Sequence, residues 1–145
     1  MNESRYYFAY GSNLNCSQMQ NRCPQAVRVG RARLDGYQFM INRQHYATVI
    51  AQPDHVVWGG LWLLAPSDEE SLDRYEGVIG GFYTKAEVAV IAMSEITKAL
   101  TYFAADSDPG YPNADYLKNI LIGAKEFGLP DYYLNDLAAH ARRAA

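Results

Sequence analysis

The chain has 145 residues, 49% of them apolar and 20% charged, with a net charge of −3. That length suits a single domain over 1–145 with its own core, and the balance excludes a disordered chain. The acidic sum weighs against nucleic-acid binding, no apolar run approaches the roughly 20 residues of a membrane span, and no signal-peptide pattern opens the chain, so cytoplasmic residence is expected.

The chain opens with an aromatic run, Arg5 to Tyr10, that reads as a strand. It stops at the turn residues Gly11-Ser12-Asn13, after which Asn13 or Asn15 caps a short helix reaching about Asn21. Cys16 and Cys23 fall on or beside that helix and read as small packed hydrophobes. With His45, His55 and His140 scattered, no metal-ligand spacing exists, and neither metal nor cofactor is expected. Val27 to Leu34 and Tyr37 to Asn42 read as strands joined by a hairpin at Asp35-Gly36. Thr48 to Ala51 and Val56 to Leu64 follow, split by a turn at Gln52-Pro53-Asp54.

Ser67 and Glu70 form a capping-box pattern for the next helix, in which Leu72, Tyr75 and Ile79 would be apolar and Gly77 would be the residue just past the end. Phe82 to Ala92 and Thr97 to Ala105 read as strands, and Asp106 to Pro112 as a loop. Asn113 opens a helix with Tyr116, Leu117, Ile120, Leu121, Ala124 and Phe127 on one face, stopped by Gly128 and Pro130. A last helix spans Asp131 to Arg143, with Leu134, Leu137 and Ala141 on its apolar side. Strands fill the first two thirds without regular alternation with helices. The expected class is therefore α+β: a small, mainly antiparallel, bent sheet or barrel flanked by helices, with a helical C-terminal part.

Two local features have chemical content. At Tyr10-Gly11-Ser12-Asn13-Leu14 a strand turns into a helix, and the amides of 11–14 either form an anion site or merely cap the helix. Glu76 stands at the C-terminal end of its helix, where the dipole opposes a carboxylate. The apolar neighbours Tyr75, Val78, Ile79 and Phe82 would push its pKa further up, toward the range a general acid/base needs. A merely solvated Glu76 is the alternative. The twelve tyrosines, against five phenylalanines, pose a related question, because each buried hydroxyl needs a partner.

Taken together, the motifs resemble the γ-glutamylcyclotransferase family. They are Phe8-Ala9-Tyr10-Gly11-Ser12-Asn13-Leu14, then Val57-Trp58-Gly59-Gly60-Leu61-Trp62, then Leu72-Asp73-Arg74-Tyr75-Glu76-Gly77-Val78 with Gly81-Phe82-Tyr83. Tyr116 and Gly123-Ala124-Lys125-Glu126-Phe127-Gly128-Leu129-Pro130 complete the set. The resemblance implies a small barrel flanked by helices with a cavity at one end. It implies cyclisation of a γ-glutamyl amino acid or peptide to 5-oxoproline, with Glu76 as catalytic acid/base. Tyr10, Gly11, Ser12, Asn13 and Leu14 would hold the γ-glutamyl group, and Tyr83 and Tyr116 would line the pocket. Other tyrosines, Tyr6, Tyr37, Tyr102 and Tyr132 among them, read as packing. The short Gln44-His45-Tyr46 segment departs from the longer loops of relatives and implies a more open mouth.

No cofactor, nucleic-acid or membrane partner is implied; the partner is a small γ-glutamyl substrate. Substrates in the γ-glutamylamine or natural-product class are alternatives, as is a non-catalytic metabolite-binding module. Self-association as a homodimer, through strand edges or terminal helices, stays open.

Overall fold

The computed structural model describes residues 4–141. Five strands close into a barrel in the order β1-β3-β2-β4-β5: β1 Arg5–Ala9, β2 Val27–Ile41, β3 Ala47–Leu64, β4 Tyr83–Ala92 and β5 Glu95–Ala104. Neighbours run antiparallel except at the closing pair, where Tyr7 of β1 meets Leu100 of β5 in parallel. Four helices flank the barrel: α1 Cys16–Arg22, α2 Pro66–Tyr75, α3 Ala114–Glu126 and α4 Asp131–Ala139. Phe8, Leu61, Val90 and Leu100 from the strands join Leu14, Met19, Leu72, Ile120, Phe127 and Leu137 in one continuous buried core. Among the described residues no helix is long and apolar enough to cross a membrane.

Several boundaries differ from the expectation. Asp35-Gly36 makes no hairpin; β2 runs through it, and the register slips between Asp35 and Tyr37. Across that slip Asp35 pairs with Val56 and Tyr37 with Ala51, so the Gln52-Pro53-Asp54 segment is a bulge within β3 rather than a turn. Cross-strand pairing on both sides outweighs the local turn signals. The reversal lies instead after Asn42, whose Oδ1 accepts from the amides of Gln44 and Tyr46 at 3.0 and 3.2 Å. That is side-chain mimicry of a backbone turn.

Ser67 does not cap α2. Ala65 occupies the cap, Pro66 takes the first helical position that suits its fixed φ, and the Asp68 carboxylate accepts from the Ala65 amide at 3.1 Å. Asn15 is the residue that caps α1, through Oδ1 to the Gln18 amide at 3.1 Å. In α4, Tyr133 and Leu137 face the core, Leu134 is half-buried and Ala141 is exposed. The expected end at Arg143 lies outside the described residues. Cys23 is buried and its thiol is pushed up to about 12, mainly by burial, which leaves it protonated and unreactive near neutrality.

The last motif braces the first. A Cβ on Gly123 would run into the backbone of Leu14 and Asn15, so only glycine lets α3 press against the turn after Tyr10. Glu126, three residues on, accepts the Cys16 amide at 3.0 Å and so satisfies one free donor of the first turn of α1.

Candidate active site

Glu76 is the residue at which α2 ends. Its amide bonds back to the Leu72 carbonyl at 2.8 Å, and Gly77 follows with φ 65°, the left-handed turn that glycine takes without cost. The chain then folds on itself, with the Phe82 amide on the Gly77 carbonyl at 3.1 Å, and enters β4 at Tyr83. This tight return places Glu76 and Tyr83 together on the lining of a cavity of about 550 Å³ at one end of the barrel.

The cavity unites most of the expected site. Glu76, Tyr10, Gly11, Ser12, Asn13, Tyr83 and Tyr116 all line it. Leu14 does not. It is fully buried behind the wall, and its amide closes the turn on the Gly11 carbonyl at 3.0 Å. The Asn15 amide closes on Ser12 in the same way, so only the Gly11, Ser12 and Asn13 amides remain for a ligand. Asn13 is a buried hub. Its Nδ2 donates to the Tyr7 hydroxyl at 3.1 Å, and its Oδ1 accepts from Gln18 at 2.9 Å and Arg22 at 3.1 Å.

Burial pushes the Glu76 carboxyl up to about 7, opposed by the positive charge of Arg22. The direction is the expected one, but the cause is tertiary. Tyr75 and Phe82 belong to the cavity wall although each is largely exposed, Val78 packs against the core and Ile79 is fully exposed, so the carboxyl is buried by the wall as a whole rather than by an apolar run. Among the described residues no side chain hydrogen-bonds that carboxylate. Burial also raises Tyr7, Tyr10, Tyr83 and Tyr116 well above the ordinary phenol range, and the charge of Glu76 adds to each. All four hydroxyls are therefore neutral at physiological pH.

Seven of the twelve tyrosines line the cavity: Tyr7, Tyr46, Tyr75 and Tyr102 join the three expected. Tyr102 packs in the buried core, as read from sequence, and is at the same time a wall residue. So is Arg22, whose guanidinium lies 4.4 Å over the Tyr75 ring. Neither had a local signal, since an Arg in a last helical turn and a Tyr in a strand are both commonplace. Gln44 and Tyr46 form part of the rim, with Tyr46 edge-on to Tyr116 at 5.5 Å. Among the described residues no group of three His, Cys, Asp or Glu could hold a metal ion.

Residues 56–137 match the AIG2-like family, and the closed barrel with flanking helices is the fold shared with a solved relative. The chain is 37% identical to the gamma-glutamylcyclotransferase of Mus musculus and 36% identical to that of Homo sapiens. Each alignment covers 94% of this chain and 79% of the relative. A solved structure named gamma-glutamyl cyclotransferase superposes with a TM-score of 0.89 at 34% identity, covering 94% of this chain and 88% of that one. The chain belongs to the AIG2-like, γ-glutamylcyclotransferase family.

Proposed function

We propose that this protein is a γ-glutamylcyclotransferase acting on γ-glutamyl amino acids or peptides of glutathione-related metabolism. The observation that carries the reading is Glu76, a carboxylate with no hydrogen-bond partner among the described residues, set in a tyrosine-lined cavity and pushed up to about 7. Its relatives named gamma-glutamylcyclotransferase support the same reaction. The cavity volume falls within the ~300–1,000 Å³ typical of small-molecule sites.

The substrate carries its own nucleophile. Near neutrality its α-amine is largely an ammonium and cannot attack. Glu76 takes one proton from it; the freed amine attacks the γ-carbonyl carbon and a C–N bond forms. The bond to the departing amine then breaks as Glu76 returns its proton to that nitrogen, and the ring nitrogen, which still carries two hydrogens, gives one of them up to solvent or to the departing amine as the lactam forms. 5-Oxoproline and a free amine leave, and one carboxylate has served as base and then as acid. Ring closure is intramolecular, so holding the attacking rotamer supplies much of the rate. The free amides of residues 11–13 and the Arg22 guanidinium offer donors to the α-carboxylate and to the oxyanion formed at the carbonyl.

The test is 5-oxoproline release from γ-glutamyl-alanine, ε-(γ-glutamyl)-lysine and glutathione, by the wild type and by Glu76→Gln. The wild type should turn over at least the first, and the variant should fold yet lose roughly 10²-fold or more. Near-normal release by Glu76→Gln would overturn the assignment.

A further inference from the structure

The cavity wall ends in a polar chain that the proton transfers above do not use. Tyr102, buried in the core on β5, borders the cavity, its ring edge-on to Tyr7 at 5.8 Å. Its hydroxyl donates to Asp73 Oδ1 at 2.7 Å. Asp73 Oδ2 accepts from Lys85 Nζ at 2.9 Å, and Lys85 also donates to Glu69 at 2.6 Å. Asp73 lies on α2, three residues before Glu76, so one helix positions both groups.

A phenol has a single proton, and where that proton goes decides what the oxygen offers a ligand. The Tyr102 proton is spent on Asp73, the Tyr83 proton on the Ala47 carbonyl and the Tyr10 proton on the Tyr102 carbonyl. All three oxygens are left as acceptors. Tyr116 and Tyr7 are the reverse. They accept from the Ala47 amide and from Asn13, and keep their protons for a ligand. The wall therefore combines acceptor phenols and donor phenols, and a γ-glutamyl group has matching opposite ends: an ammonium that only donates and a carboxylate that only accepts.

Resting on the cyclotransferase reading, we propose that Asp73 is a positioning residue: by taking the Tyr102 proton it fixes the Tyr102 oxygen as an acceptor for the substrate's α-amino group. Once Glu76 has removed one proton, two N–H bonds remain on the amine. Donating them to fixed acceptors such as Tyr102 and Tyr83 leaves the nitrogen lone pair as the free direction, toward the γ-carbonyl. With an amide in place of Asp73, the –NH₂ can donate to the Tyr102 oxygen and turn the phenol proton into the cavity against the ammonium.

The experiment compares the wild type with Asp73→Asn, Tyr102→Phe, the double variant and Lys85→Met. Each is assayed for γ-glutamyl-alanine turnover and for inhibition by glutaryl-alanine, the analogue without the α-amino group. Asp73→Asn and Tyr102→Phe should each lower kcat/KM about tenfold, the scale of one hydrogen bond to a charged group. The double variant should lose no more than either single one, and glutaryl-alanine should bind all of them within about twofold of wild type. Lys85→Met breaks the ion pair but leaves the Asp73–Tyr102 bond, and should keep wild-type kinetics.

Equal loss of glutaryl-alanine affinity, additive losses, or the same defect in Lys85→Met would overturn the proposal. If Asp73→Asn does not fold, Tyr102→Phe still decides through the same contrast of substrate with analogue. A wild type that turns over no γ-glutamyl compound overturns the cyclotransferase reading as well, whereas turnover untouched by either substitution overturns only the role of Asp73.

Discussion

Tyr83 and Tyr116 grip one residue by its two backbone groups: the Tyr83 hydroxyl donates to the Ala47 carbonyl at 2.7 Å, and the Tyr116 hydroxyl accepts from the Ala47 amide at 3.0 Å. Ala47 is the first residue of β3, so β4 and α3 are tied across the cavity to the start of a third element. The two phenols are chemically equal in sequence and opposite in place, since Tyr83 can only accept from a ligand and Tyr116 can donate to one.

That difference predicts unequal effects of the same substitution. Under the proposed function, Tyr83→Phe removes an acceptor for the substrate's ammonium and should lower kcat/KM about tenfold. Tyr116→Phe removes a neutral donor and should cost only several-fold. Both losses should stay well below that of Glu76→Gln. Steady-state rates with γ-glutamyl-alanine check this, and unchanged kinetics in both variants would return these tyrosines to a purely structural role.

Arg22 predicts a shift in pH dependence. As the proposed base, Glu76 must be ionised to accept a proton, so kcat/KM should fall on the acid side with an apparent pKa near 7. The charge of Arg22 holds that value down. Arg22→Met should therefore move the acid limb upward, by about half a unit to one unit, and its deficit at neutral pH should shrink as the pH is raised. A limb that stays in place while the rate falls at every pH would mean that Arg22 acts only through Asn13 and Tyr75.

Much of the site was legible because two of its parts are local. A strand-to-helix turn containing Gly11 and a glutamate before Gly77 can be read within a few residues, and the family resemblance joins them. Tyr102 and Arg22 were not legible. Their place on the wall depends on barrel closure, which brings β5 beside β1, and on α1 lying against the turn that precedes it. Leu14 shows the converse: it belongs to the motif by sequence, but a 3-10 turn over Ser12–Leu14 points it into the core. The misplaced hairpin has the same origin. Asp35-Gly36 carries a strong turn signal, yet pairing of β2 with β3 on both sides keeps β2 running through it, opposite the bulge in β3.

The last prediction concerns stability, and its sign follows from the direction of the Glu76 shift. In the unfolded chain the carboxyl ionises near 4.5, and in the fold only near 7. Between those values the folded state binds more protons than the unfolded one, so folding stability falls as pH rises through this window and levels off above it. At about 1.4 kcal/mol per pKa unit the ceiling is near 3 kcal/mol, and solvent in the open cavity lowers it. Glu76→Gln carries no charge at any pH and escapes this loss. Its melting temperature should match that of the wild type near pH 4, exceed it increasingly from pH 5 to pH 7, and hold a constant lead above that. Thermal unfolding of both proteins across pH 4–9 measures the gap. A gap that does not widen would mean that the Glu76 carboxylate is as well solvated in the fold as in the unfolded chain, and would remove the basis for its pKa near 7.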